Sequence, residues 1–366
     1  MVFDALKIVI MSPRLRRSAA VTIIDVAREA HVSSSTVSRV LNESAQVNPD
    51  KRERVLAAVK KLGFVANFQA RSLVNARTHL IGLIVHDIGW QYAEEIVRGI
   101  EEELTARDYN LVLFTTHHNR NKEANYVRMM TQGLVDGLLL LVPIAVDIYR
   151  KELVEDRFPH VLIDQHSPDG RSATVMSRNW QGAHRAIRYL LDLGHRRIGF
   201  IGGDPELASA EERMAGYCDA LAEAGIAFDS ALVAAGNFRY SGGLQAAQKL
   251  LDLAERPTAI VAANDFSAIG AIEAIRGQGL SIPEDISIIG FDDIPQAKWL
   301  RPALTTVRQP LVEMGHRATQ LLLRMLASDE DAPALVEHVL LDTELIIRES
   351  CQPPGVAATH THRHGT

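Results

Sequence analysis

The stretch VTIIDVAREAHVSSSTVSRVLN, residues 21–42, decides the fold of the first part of the chain. Thr22 opens a capping-box-like start in which Asp25 stands where Glu is usual. The Thr22 hydroxyl can accept a free backbone N–H, and Asp25 suits the positive helix end. Val26, Ala27 and Ala30 follow on one face. His31-Val32 breaks this helix, and Ser33 can cap a second one, Ser34 to Leu41, with Val37, Val40 and Leu41 turned inward. Two short helices joined so closely predict a helix-turn-helix. A third helix begins with Asn48 as cap and Pro49 at its first position, and stops at Gly63.

In such a motif the second helix enters the DNA major groove, N-terminal end first. Its outward residues are Ser34, Ser35, Ser38 and Arg39; the hydroxyls can touch bases or phosphates, and Arg39 can make a bidentate pair with guanine. Thr22, Ser33, Thr36 and Asn42 complete the candidate contacts of the head. Charge points the same way. Residues 1–78 hold 13 basic and 6 acidic side chains, a net +7, and the remainder carries −13. A basic head on an acidic body predicts a polyanion partner for the head alone.

From residue 79 the pattern changes to short apolar runs, LIGLIV (80–85) first, alternating with amphipathic stretches. A second round of the same alternation starts after Ser177. Strand-helix alternation predicts parallel sheets with helices on both faces, and two rounds predict two similar subdomains. Ligands bind outside the carboxyl ends of such strands, so the cleft between the two sheets is the natural site. Asp87, Asp164, Asn264 and Asp292 each follow an apolar strand, and Arg213 lies near the start of a helix. Such groups can bridge vicinal hydroxyls with paired hydrogen bonds. Trp90, Tyr92, Phe238 and Trp180 could stack on a ring. Arg178 and His86 would add positive potential, a pointer to an anionic sugar.

The 366 residues are 47% hydrophobic and 23% charged, ordinary globular composition with room for two domains. Cys218 and Cys351 lie far apart and form no CxxC, which predicts a reducing compartment. No apolar run reaches the ~18 residues of a membrane span. The basic residues Arg14, Arg16 and Arg17 follow the first apolar stretch, whereas a signal peptide needs them before it. The expectation is a cytoplasmic protein with no membrane partner. The HTHRH run (360–364) lies in a polar tail with no further ligands nearby, so no metal and no cofactor are expected, and no nucleophile motif marks an enzyme.

Residues 21–42 and KLGFVANFQARSL (61–73) resemble the DNA-binding head and hinge helix of the lactose-repressor (LacI/GalR) family. The body is similar to that family's effector domain through LGHRRIGFIGG (193–203), ERMAGY (212–217), RPTAIVAAND (256–265), PEDISIIGFDD (283–293) and LTTVRQP (304–310). The resemblance implies an all-α helix-turn-helix head on an α/β, two-subdomain effector domain like that of periplasmic binding proteins. It implies a disordered basic arm over 1–20, the head over 21–66, a hinge over 67–78, an effector and dimerisation domain over 79–350, and a disordered tail over 351–366. Within 79–350 the first subdomain takes 79–176 plus 309–330, and the second 177–308 plus 335–348. Asn67, Ala70 and Leu73 fall at the hinge's DNA contacts, Leu73 where the family uses a leucine wedge. Asp164, Arg213, Asn264 and Asp292 match effector contacts, and Phe238 an aromatic that packs on the ligand. Two departures stand out in the head: His31 where the turn usually has Gly, and Ala66 in place of Pro.

The implied function is a transcription regulator, a repressor acting as a homodimer on a pseudo-palindromic operator and responding to a sugar or sugar derivative. The rival readings are a solute-binding protein without DNA readout, an α/β enzyme, and an activator. The basic helix-turn-helix counts against the first. The helix from Glu94 to Arg107 is a dimer-interface candidate whose apolar stripe equally suits core.

Overall fold

The computed structural model describes residues 21–41, 47–63, 77–87, 89, 91–328 and 335–355. They form two units divided between Thr78 and His79. The expected arm over 1–20 and the tail beyond residue 355 lie outside the described residues, as do Asn42, Ala66, Asn67, Ala70, Leu73 and Trp90.

The head is three helices, α1 (Ile23–Glu29), α2 (Ser34–Leu41) and α3 (Pro49–Leu62). Thr22 and Asp25 close a full capping box: the Thr22 backbone N–H donates to the Asp25 carboxylate at 2.9 Å, and Asp25 N–H donates back to Thr22 Oγ1 at 3.3 Å. His31 makes the turn with φ +50, the left-handed conformation that glycine adopts without strain. Ser33 caps α2 by accepting from the Thr36 N–H at 3.2 Å. Asn48 caps α3, and Gly63 ends it at φ +62. Val26, Val37 and Val55, one from each helix, are fully buried at the centre.

The second unit holds two six-stranded sheets. In chain order its elements are β1 (Leu80–Val85), α4 (Gln91–Thr105), β2 (Asn110–Thr115), α5 (Arg120–Thr131), β3 (Gly137–Leu141), β4 (His160–Ile163), β5 (Ala173–Ser177), α6 (Asn179–Asp192), β6 (Ile198–Gly202), α7 (Ala208–Glu223), β7 (Val233–Ala235), α8 (Tyr240–Leu251), β8 (Ala259–Ala262), α9 (Asp265–Gly277), β9 (Ser287–Asp292), α10 (Pro295–Trp299), β10 (Thr305–Arg308), α11 (Leu311–Ala327), β11 (His338–Leu341) and β12 (Glu344–Ile346). The first sheet runs β11-β5-β4-β3-β1-β2, all parallel; the second runs β12-β10-β9-β8-β6-β7, parallel except for β12. The inner strands β3, β6 and β8 are apolar throughout and buried along their whole length, as helix-covered parallel strands must be. The short outer strands β7, β11 and β12 have no such run to announce them.

The apolar stripe of α4 is core: Ile96, Ile100 and Leu104 are buried, and the helix packs along α11. The two helices touch backbone to backbone. A Cβ on Gly99 would lie 2.1 Å from Val312 O, and one on Gly315 2.2 Å from Ile96 O.

The chain passes between the sheets three times, at Arg178, at Gln309-Pro310 and at Asp342-Thr343. The first and last crossings are tied together: Arg178 N–H donates to Leu341 O, its guanidinium pairs with Asp342 at 2.9 Å, and Arg185 donates to Thr343 O. The last crossing corrects the expected division. Residues 338–341 pair with β5 in the first sheet, not with the second subdomain, because the chain leaves α11 on the first sheet's face and takes its open edge before crossing. The tail is corrected as well: Cys351 donates to Ile288 O, and His195 bonds Gln352 O, so 351–355 pack on the second sheet.

Candidate functional site

The carboxyl ends of both sheets' strands face one cavity of about 410 Å³, counting the space open at its mouth. Tyr92, Val142 and Asp164 come from the first subdomain, and Leu207, Ser209, Arg213, Phe238, Asn264, Phe266 and Asp292 from the second. Val142, Asp164, Phe238 and Asp292 all hold positive φ, at 52, 54, 57 and 119. Such backbone is costly for residues with a side chain and persists only where the surroundings fix it. Here it is what turns these side chains inward.

Arg213 is the centre of the site. It is 3% exposed. Its Nε and Nη2 both donate to Asn179 Oδ1, at 3.0 and 2.8 Å, and Nη1 donates to Ala263 O. The Asp292 carboxylate lies 3.7 Å from Nη1. The guanidinium carbon sits 3.7 Å above the Phe291 ring and 5.6 Å from that of Phe238, a cation–π stack. Phe238 can lie flat against the end of β6 because residue 203 is glycine; a Cβ there would fall 2.1 Å from the ring.

The carboxylates are braced. Tyr92 O–H donates to Asp164 Oδ2 at 2.8 Å, while Asp164 Oδ1 is buried with no hydrogen-bond partner among the described residues. Gln309 Nε2 donates to Asp292 Oδ1 at 2.7 Å. Burial raises the pKa of Asp164, against the pull of Arg213. The same burial pushes Asp292 up to about 7, again opposed by Arg213. Asn264 caps α9 through its Oδ1 and donates from Nδ2 to Phe238 O, so it fixes the aromatic wall. Behind it, Asp265 accepts from Thr306 Oγ1 and Ile294 N–H and holds the turn that carries Asp292.

Six of the predicted ligand residues line this cavity: Tyr92, Asp164, Arg213, Phe238, Asn264 and Asp292. Asp87 does not. Its carboxylate turns back to the Gly89 N–H, a local Asx-type bond. Trp180 is also elsewhere, donating to Asp219 and stacked on His184. The positive potential anticipated from Arg178 and His86 is absent from this cavity's lining. Arg178 spends its charge on Asp342. His86 is buried, bonded to Val142 O and Thr116 Oγ1, and burial lowers its pKa, so it is neutral near pH 7. Residues missed from sequence are Asn179, Phe291 and Gln309, which hold Arg213 and Asp292. Phe291 and Gln309 lie inside the quoted runs PEDISIIGFDD and LTTVRQP, whereas Asn179 lies in none of the quoted runs.

On the head, Ser34, Ser35 and Arg39 of α2 are exposed, and Ser38 is half-buried. Ser33 Oγ lies 2.9 Å from both Ser35 Oγ and Thr36 Oγ1, a hydroxyl cluster at the helix start. Thr22 is committed to its capping box.

The domain family of bacterial regulatory proteins, lacI family, matches residues 22–67, and a periplasmic binding protein-like domain matches 187–351. The chain is 37% identical over 333 residues to the HTH-type transcriptional regulator RegA of Clostridium saccharobutylicum, covering 90% of this chain and 99% of that one. Among solved structures it is similar to the transcriptional regulator CelR–cellobiose complex, with TM-score 0.69, 32% identity, and 90% of this chain and 99% of that chain covered. It is also similar to the lac repressor dimer bound to operator and the anti-inducer ONPF, with TM-score 0.80, 26% identity, and coverage of 91% and 99%.

Proposed function

This chain belongs to the lacI family of bacterial regulatory proteins, and from that premise we propose that it is a ligand-responsive, sequence-specific transcriptional repressor of carbohydrate-utilisation genes. The observation that carries the ligand-responsive part is the cavity in which Tyr92 and Asp164 of one subdomain meet Arg213 and Asp292 of the other. A molecule bound there touches both halves at once, so its affinity depends on their relative angle. That difference in affinity is what lets a ligand shift a two-state equilibrium.

The DNA end of the function rests on α2. Arg39 and the serines around it read bases, and two heads of a homodimer take the two half-sites of a pseudo-palindromic operator. The family's lac repressor structure, a dimer on its operator, supports this reading. We read Asp164 and Asp292 as binding groups and not as an acid–base pair, since Tyr92 and Gln309 fix each in place. A DNA-binding role supports reading the protein as cytoplasmic.

The test is selection of bound sites from a random duplex library with the full chain. The expected result is an enriched pseudo-palindrome whose binding changes with one sugar from a pool. Absence of any enriched sequence, with and without sugar pools, would overturn the reading in favour of a solute-binding protein.

A further inference from the structure

The charge around the cavity is arranged against anions. Among the described residues that line it, Arg213 is the one cation, and Asp164 and Asp292 stand beside it. The charge of Arg213 is already faced. Three of its five N–H donors go to Asn179 Oδ1 and Ala263 O, the Asp292 carboxylate stands 3.7 Å from Nη1, and its face lies on Phe291. No further positive charge comes from the lining. Buried His86 is bonded through both ring nitrogens, and Arg178 pairs with Asp342. Arg239, exposed and outside the lining, is the cation that remains near it, and the acid Asp204 acts on the same histidines with opposite sign.

Helix N-termini are the other common source of positive field. The helices α4, α7 and α9 contribute Tyr92, Ser209 and Phe266 to the cavity from their first turns. Each of those first turns carries an acid: Glu94, Glu211 and Asp265. The Glu94 and Glu211 carboxylates offset the dipole that would otherwise favour an anion, while burial beside Asp292 raises the pKa of Asp265 well above the usual carboxylate range and its carboxyl is taken up by Thr306 and Ile294.

The unmet demand is for donors. The Asn179 amide acts on the Asp164 carboxyl alongside Tyr92, yet Asp164 Oδ1 is a buried acceptor that makes no full hydrogen bond among the described residues, and leaving such an atom unpaired is costly. Tyr92, Phe238 and Phe266 supply an aromatic wall against which an apolar ring face can lie. We propose that the cavity takes an uncharged ligand that presents hydroxyl donors and one apolar face, and that it turns away phosphorylated and carboxylated ones. This inference rests on the reading of the cavity as the effector site.

The experiment is a paired panel on the full-length protein. Neutral pentoses, hexoses, disaccharides and nucleosides are each matched with the phosphate ester or uronate of the same skeleton. Binding is read as the rise in melting temperature, and hits are titrated by calorimetry. The expected result is that each hit is a neutral member, with its anionic partner at least tenfold weaker. In Asp164→Asn that gap should narrow. A phosphate or uronate that binds as tightly as its neutral partner overturns the charge inference and leaves the effector-site reading standing. If no member of either kind raises the melting temperature, the effector-site reading falls, and the charge inference falls with it.

Discussion

The Arg213 guanidinium and the Asp292 carboxylate lie 3.7 Å apart, both nearly sealed from solvent, and a ligand entering the cavity meets the pair together. Arg213→Ala leaves the Asp292 carboxyl and the Asn179 amide oxygen without their partner. Breaking such a buried pair costs about 3–5 kcal/mol. The loss should fall at the low end because Asp292, held near 7, can take up a proton. Urea unfolding measures this cost. The variant should also lose its ligand-induced change in operator affinity while the head still binds DNA. A fully responsive variant would sink the cavity assignment.

Asp292 also sets a pH dependence. Its folded pKa of about 7 is raised above the ordinary carboxylate value of 3.8, so the folded state holds the proton more tightly. The resulting stability is fully present below pH 3.8 and is lost as pH rises through about 7. The loss runs at up to about 1.4 kcal/mol per pH unit. His86 and His118, held low by burial, contribute in the opposite direction as pH rises, so the wild type alone shows a mixture. The difference between Asp292→Asn and wild type isolates the effect. It should move in favour of the variant from pH 4.5 to 7, and a flat difference would contradict the burial argument.

The contact between α4 and α11 makes a sharper packing prediction. Gly315→Ala puts a methyl 2.2 Å from Ile96 O, and the two helices must separate. Overpacking of this kind typically costs about 1–3 kcal/mol. Gly277 at the end of α9 has nothing within 4 Å, so Gly277→Ala should stabilise by about 0.4–1 kcal/mol. Equal melting temperatures for the two variants would refute the close approach.

In the head, His31 holds φ +50 where glycine would be relaxed. His31→Gly should raise the stability of the head by about 1 kcal/mol, since the left-handed conformation costs a residue with a Cβ roughly 1–2 kcal/mol and glycine gives back part of that in chain entropy. Hydrogen exchange at Val26 and Val37 amides would report it, and slower exchange is the expected sign.

Arg39 is exposed on α2. Arg39→Ala should relax base preference at a single operator position and cost about 1–3 kcal/mol of specific binding. Competition between single-base operator variants is the measurement, and an unchanged preference profile removes Arg39 from readout.

Much of this molecule is legible in its sequence because its local signals agree. Caps at Thr22 and Asn48 and the apolar runs of β1, β3 and β6 mark elements without help from distant residues. Asp164, Asn264 and Asp292 could be picked out because each follows such a run. What resisted reading was contact at long range. Asn179 serves Arg213 from 34 positions away, and Gln309 reaches Asp292 from inside a crossing segment. His86 reads as a charge in one dimension and is a neutral, buried donor in three. The edge strand β11 is four residues long, half exposed, and shows its place only through pairing with β5.

The triple passage of the chain between its sheets has a genetic consequence. No contiguous piece of the gene encodes either half of the body. A reading frame cut before codon 338 removes β11 from the first sheet and β12 from the second in one stroke. The helices α1 to α3, by contrast, occupy one uninterrupted run of codons. Recombination can therefore exchange the head, or the whole body, as a cassette, while neither half of the body can be exchanged by a single piece of the gene.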